Sequence, residues 1–191
     1  MQQSGEYRIG ASAEQVWRAL NDPEVLAQCI EGCQSMTRTG DDGFTAVVKA
    51  KVGPVSATFT AEVTLADLNP PHSYSLQASA KGGAAGFGKG VAKVSLTPEA
   101  GGTLLRYEVE GNVGGKLAQV GQRLIDGTAR KMADDFFAKF GELVAPGASE
   151  AVTAAPVAEA VKAKGVPGWI PVTLIVAGTL IMGLIALLSS R

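Results

Sequence analysis

GGKLAQVGQRLIDGTARKMADDFFAKFGELV, residues 114–144, is the one long helical pattern upstream of an apolar tail. Leu117, Val120, Leu124, Thr128, Met132, Phe136, Phe140 and Leu143 recur every three or four residues, the spacing of one helix face. Lys116, Gln119, Arg123, Asp126, Arg130 and Asp134 follow the opposite face. Asp126 before Arg130 and Asp135 before Lys139 are acid-then-base pairs four apart, each worth a few tenths of a kcal/mol. Repeated steps of four outrun the 3.6-residue period, so the stripe drifts around the axis and is expected to face more than one surface. Gly121 and Gly127 lie inside it, each costing about 1 kcal/mol relative to alanine. They mark a kink or a close approach.

Outward from this helix, the upstream chain reads as sheet. After a short first strand over residues 5–10, Ser12 with Gln15 forms a capping-box signal, and Val16, Trp17 and Leu20 give the following helix its buried side. Asp22 before Pro23 starts a second short helix that ends near Gly32. From Cys33 to Val113 the period changes to two. Phe44 to Val52, Val55 to Leu65, Tyr74 to Ala80, Ala92 to Leu96 and Leu105 to Val113 alternate apolar and polar, with Gly53-Pro54, Asn69-Pro70-Pro71 and Pro98 to Gly102 as turns. Short turns between successive strands imply an antiparallel meander. The inner faces carry alanine, valine and glycine rather than large residues. A sheet so lined, curved around one long helix, leaves room for a void.

The totals narrow the function. The chain has 191 residues, enough for one domain with a core plus extra segments. Seventeen basic and 18 acidic residues give a net charge of -1, and aromatics are 6%, which disfavours a nucleic-acid reader. The first ten residues lack a basic region followed by an apolar run, so the expectation is a cytoplasmic domain without a signal peptide. Residues 145–168 are rich in alanine, proline and glycine and read as a linker with a span of roughly 27 Å r.m.s.. Residues 170–188 carry no charge, and as a helix would be about 28 Å long, close to the thickness of a bilayer core. Trp169 stands at the expected interface, with Lys162, Lys164 and Arg191 flanking. The division is therefore a domain at 1–144, a linker at 145–168 and a transmembrane tail anchor at 169–191.

Catalytic and metal chemistry find little support. Cys29, Cys33 and the single histidine, His72, do not supply a zinc site, and His72 follows two prolines in a surface turn. The glycine-rich run at 81–90, KGGAAGFGKG, lacks the Ser or Thr of a phosphate loop, because Lys89 is followed by Gly90. It reads as a hairpin or bulge, or else as a gate with Phe87 as an apolar plug at a cavity mouth. Asp126, Asp134 and Asp135 read as solvated. Thr128, inside the apolar stripe, either bonds back to a helix carbonyl or offers one hydroxyl to an amphipathic ligand.

NDPEVLAQCIEGC, AKVGPVSATFTAEVTLADLNPP, KGGAAGFGKG and the long helix together resemble the G-subunit family of carbon monoxide dehydrogenase, within the START-like helix-grip superfamily, over about residues 1–144. Glu31 departs from it, standing where the family usually has proline in C-I-P-G-C; this bears on loop shape, not on fold. The resemblance implies an α+β helix-grip fold, a curved antiparallel β-sheet wrapped around a long C-terminal helix, with an apolar cavity between them. It also implies association with a molybdenum hydroxylase, the carbon monoxide dehydrogenase, at the membrane. Joined to the tail, it suggests a non-enzymatic carrier, anchored by its C-terminus to the cytoplasmic membrane. Its expected ligand is an isoprenoid quinone, menaquinone or ubiquinone, with no covalently bound cofactor. The expected cavity residues are Phe59, Phe87, Tyr107, Leu124, Thr128 and Met132, while Trp17 and Leu20 pack the far end. The alternative is a membrane recruitment factor for the dehydrogenase, with no carrier role. A cyclase or hydratase lacks an evident catalytic set.

Overall fold

A computed structural model describes residues 2–145. Strand β1 (Gln2–Ile9) leads into helices α1 (Ala13–Leu20) and α2 (Pro23–Cys29). Six strands follow: β2 (Cys33–Thr39), β3 (Gly43–Val52), β4 (Val55–Asn69), β5 (Ser73–Lys81), β6 (Phe87–Glu99) and β7 (Gly102–Gly114). Helix α3 (Gln122–Val144) closes the domain. The expected linker beyond Ala145, and the expected anchor, lie outside the described residues. Among the described residues no helix is long and apolar enough to cross a membrane.

Local chemistry starts the helices where the residues predict. Ser12 Oγ accepts from the Gln15 N–H at 3.3 Å, and Gln15 Oε1 accepts from the Ser12 N–H at 3.0 Å. Two otherwise orphaned donors are thereby satisfied. Asp22 Oδ1 caps α2 through the Glu24 N–H at 2.9 Å, with Pro23 at the first helical position. Gly32 carries the chain out of α2, its carbonyl accepting from the Lys49 N–H at 2.8 Å. Glu31 is accommodated just before this contact.

The sheet is one antiparallel, curved surface of seven strands in the order β1-β7-β6-β5-β4-β3-β2. Successive strands from β2 to β7 are neighbours, as the meander predicts. β1 and β2 form its two edges, so α1 and α2 bridge those edges, while α3 covers the concave face. The buried Thr103 hydroxyl donates to the Ala11 carbonyl at 2.7 Å, tying β7 to the turn that enters α1. Gly53, with φ +56°, takes the first place of the two-residue β3–β4 turn, and Pro54 follows.

Two corrections concern the long helix. Its pattern was expected from residue 114, but β7 runs to Gly114, a 3₁₀ turn covers Leu117–Val120, and α3 begins only after Gly121 at φ +95°. The reason is packing of backbone on backbone: a Cβ on Gly86 would lie 1.9 Å from the Gly114 carbonyl oxygen, so this stretch is held as strand edge and turn. The buried face also differs in the N-terminal half. Ile125, Ala129, Met132, Ala133, Phe136, Phe137 and Phe140 are buried, whereas Leu124 is 54% exposed and Leu143 44%. A strict step of four advances about 40° around the helix. Four such steps from Phe140 therefore carry Leu124 out of the core, and Ile125 takes its place.

Candidate functional site

The concave face is built differently at its two ends, and cross-strand register shows how. One row runs Tyr74–Val94–Tyr107–Gly5 across β5, β6, β7 and β1. Here the C-terminal half of α3 brings in Phe137, whose ring lies 4.1 Å from Tyr7 and 5.9 Å from Tyr107, centroid to centroid. Phe136 and Phe140 stack at 5.6 Å and have no exposed surface. Trp17 meets Tyr74 edge-on at 5.4 Å. Six residues further along the strands, about 20 Å away, the rows hold small side chains. Ala46, Ala61, Ala80 and Gly88 are successive partners across β3 to β6. Beside them, Ala78, Gly90 and Gly111 are partners across β5 to β7.

The N-terminal half of α3 runs towards this second end. Leu124 reaches the Gly53 turn, lying 3.8 Å from where a Cβ on that glycine would be. Clefts open on both flanks of the helix there. One, of about 730 Å³, lies against β1 and β7 and is lined by Gln3, Val109, Asp126, Gly127 and Arg130 among others. The other, of about 740 Å³, lies against β3 and the α2–β2 loop and includes Ala50, Leu124, Gly127, Thr128 and Met132. Gly127 is common to both, and a Cβ placed on it would touch nothing within 4 Å. This half of the helix is undercut from two sides.

The expected site residues divide accordingly. Leu124, Thr128 and Met132 come together on the second cleft, with Leu124 exposed and Met132 7% exposed. The Thr128 hydroxyl donates to the Leu124 carbonyl at 2.8 Å, the local use that such a residue often finds. Phe59 is buried on β4, its ring filling the space where a Cβ on Gly82 would stand. Tyr107 belongs to the aromatic end and is not brought to the clefts' helix flank. Phe87 is 49% exposed and lies across Gly114; its neighbour Gly88 faces inward, so Phe87 is on the outer face of the sheet. The glycine-rich run is a strand end and a 3₁₀ turn at Gly83–Ala85.

Other groups were not singled out from the sequence. Gln3 alternates inward with Gly5, Tyr7 and Ile9, a signal lost when the first strand is begun at Gly5. Its amide oxygen and nitrogen are both shielded from solvent and complete no hydrogen bond of normal geometry among the described residues, although the Tyr107 hydroxyl is close by. The Tyr7 hydroxyl donates to Asp134 Oδ1 at 2.7 Å, so this carboxylate, expected to be merely solvated, ties α3 to β1. Burial first, then the hydrogen bond to Asp134, push Tyr7 above the phenolic range and keep its proton in place. Burial likewise raises Tyr107 and Tyr74. Cys29 is buried and pushed up to about 12 by desolvation, and Cys33 is also raised; both are free thiols. The described residues hold no cluster of three or more metal-ligating groups.

Comparison with known proteins places this architecture. A conserved protein from Geobacillus kaustophilus is similar at 33% identity and a TM-score of 0.72, over 76% of this chain and 96% of its own. A protein from Mesorhizobium loti is similar at 20% identity and a TM-score of 0.53, over 77% of this chain and 98% of its own. One from Thermus thermophilus follows at 17% and 0.54, over 78% and 100%. The last two share the fold. No curated protein matches the chain. The family model of the carbon monoxide dehydrogenase G subunit (CoxG) matches residues 5–145, from the middle of β1 through the end of α3. The chain belongs to this CoxG family of carbon monoxide dehydrogenase.

Proposed function

We propose that this protein is a carrier rather than an enzyme, holding an isoprenoid quinone beneath the N-terminal half of α3 and delivering it to a carbon monoxide dehydrogenase. Family membership supplies the link to the dehydrogenase. The observation that carries the ligand is the concave face itself, where rows of alanine and glycine underlie a helix half flanked by two clefts. Clefts of this size fall within the range of about 300–1,000 Å³ usual for small-molecule sites. Val109 on one flank, and Ala50, Leu124 and Met132 on the other, offer apolar contacts to an isoprenoid chain, with charged side chains standing around them. The Gln3 amide, buried without a completed hydrogen bond, is suited to donate to a quinone carbonyl. A buried amide left short of partners costs about 1–3 kcal/mol, which such a pairing would offset. In this reading the dehydrogenase supplies two electrons, two protons enter from water, and the quinone leaves as quinol. The domain holds and releases, and does no redox chemistry of its own.

The apolar run at 170–188 serves as the membrane anchor in the same reading, with 145–168 as the tether. A tether of roughly 27 Å r.m.s. keeps the domain within reach of both the bilayer and a soluble enzyme. Organic extraction and mass spectrometry of the full chain from its native host test the ligand. One isoprenoid quinone per protein is the expected result. An empty pocket from a quinone-rich host would instead make the protein a recruitment factor.

A further inference from the structure

The two flanks of α3 differ in charge. The cleft against β1 and β7 is mixed, with Lys93 and Arg130 beside Glu108, Glu110 and Asp126. The cleft against β3 is ringed by Lys49, Lys51, Arg123 and Lys131, with Glu31 its one carboxylate. All four cations are exposed, and only Lys131 is held in an ion pair among the described residues, 2.9 Å from Asp135. In a chain of net charge -1, this rim is a local concentration of positive charge. Leu124, 54% exposed, lines the same cleft beside the Gly53 turn.

We propose that this cationic rim, together with the exposed Leu124, is the surface by which the domain lies on an anionic lipid bilayer. The inference rests on the carrier reading and adds to it a defined orientation. Protein interfaces are depleted in lysine and enriched in aromatic residues and arginine. The rim has three lysines, one arginine and no aromatic, which matches a charged lipid surface better than a protein partner. Each cation near such a surface strengthens binding about fivefold, and the attraction fades within a Debye length. The tether makes this encounter intramolecular, so even a weak surface suffices. Docked this way, the cleft holding Leu124, Thr128 and Met132 opens onto the bilayer from which a lipophilic ligand must come. The mixed flank faces away.

Hydrogen exchange of the full chain in vesicles tests the orientation. The vesicles are phosphatidylcholine alone, or phosphatidylcholine with phosphatidylglycerol. Flotation with both vesicle types reports the tail and checks the anchor separately. Exchange at residues 49–56 and 121–131 is expected to slow at least about fivefold with phosphatidylglycerol only. That protection should vanish at about 1 M salt, where screening acts within about 3 Å. It should vanish also in the triple variant Lys49→Glu, Lys51→Glu, Arg123→Glu, at an unchanged melting temperature. Lys93→Glu, on the mixed flank, is expected to keep it. Equal exchange in both vesicles, or protection retained in the triple variant, overturns the proposal. Protection that arises only on adding the dehydrogenase overturns it too, and would make the rim a protein-docking face. A chain that fails to float on neutral vesicles contradicts the anchor, while the comparison between lipids still decides the rim.

Discussion

Along its C-terminal half α3 lies on rings, and along its N-terminal half it lies across alanine and glycine. The same helix and the same sheet thus make two different environments. Tyr7, Tyr107, Phe136, Phe137 and Phe140 close the first end by stacking, and little surface is left exposed there. At the second end the inward side chains of the sheet are small, and open space lies in the two clefts beside the helix. Stability is therefore concentrated at one end, and room at the other. A lipophilic carrier needs this division, because a core packed throughout to interior density has no place for a guest.

The strongest way to probe the contrast is to damage the filled end. Phe136→Ala removes a fully buried ring and is expected to lower stability to urea by about 3–5 kcal/mol. A loss below about 1 kcal/mol would show that this end is not the stabilising one. Next in size is a comparison of neighbours on α3. Ile125→Ala should cost about 2–5 kcal/mol, because Ile125 is 2% exposed. Leu124→Ala should stay within about 0.5 kcal/mol, because that side chain is largely in solvent. Equal costs would mean that the helix is rotated from the position described.

A pH dependence, absent near neutral pH and growing only in alkali, reports how dry the filled end is. Cys29, pushed up to about 12, keeps its proton in the fold at pH values where the unfolded chain loses it. Its contribution to stability is complete below the ordinary thiol range, and is lost as pH rises from about 8.5 towards 12. Urea stability should fall across that window with a slope of at most about 1.4 kcal/mol per pH unit from this group. Cys29→Ala should remove that part of the slope. An unchanged slope would show that the thiol is solvated.

Much of the fold was legible because local rules and tertiary packing agree. Ser12 with Gln15 and Asp22 with Pro23 start their helices as their chemistry demands, and alternation from Phe44 to Val113 marks the inner faces of the sheet. The start of α3 was not legible. Residues 114–120 continue a helical pattern, yet the approach of Gly86 to Gly114 and Gly115 is a long-range backbone contact that no periodicity reports. The site was legible in part. Thr128 and Met132 do face a cleft, but Leu124 extends the same series of fours onto the solvent side. Gln3 escaped notice because a polar residue at a strand's first inward position looks like fraying. The cationic rim joins Lys49 and Lys51 of β3 to Arg123 and Lys131 of α3, a grouping that only the packing of helix on sheet creates.

The most direct test of the open end is to fill it. Gly127 borders both clefts with nothing within 4 Å of an added Cβ, and Gly127→Phe adds a ring where a guest is proposed to sit. Equilibrium binding of menaquinone in detergent micelles would be measured for the full chain and for this variant, with urea stability alongside. Saturable one-to-one binding in the parent chain is predicted. The variant should bind at least tenfold more weakly, with stability changed by less than about 1 kcal/mol because the ring enters unused space. Unaltered binding in the variant, or a loss of about 3 kcal/mol from overpacking, would contradict an open end.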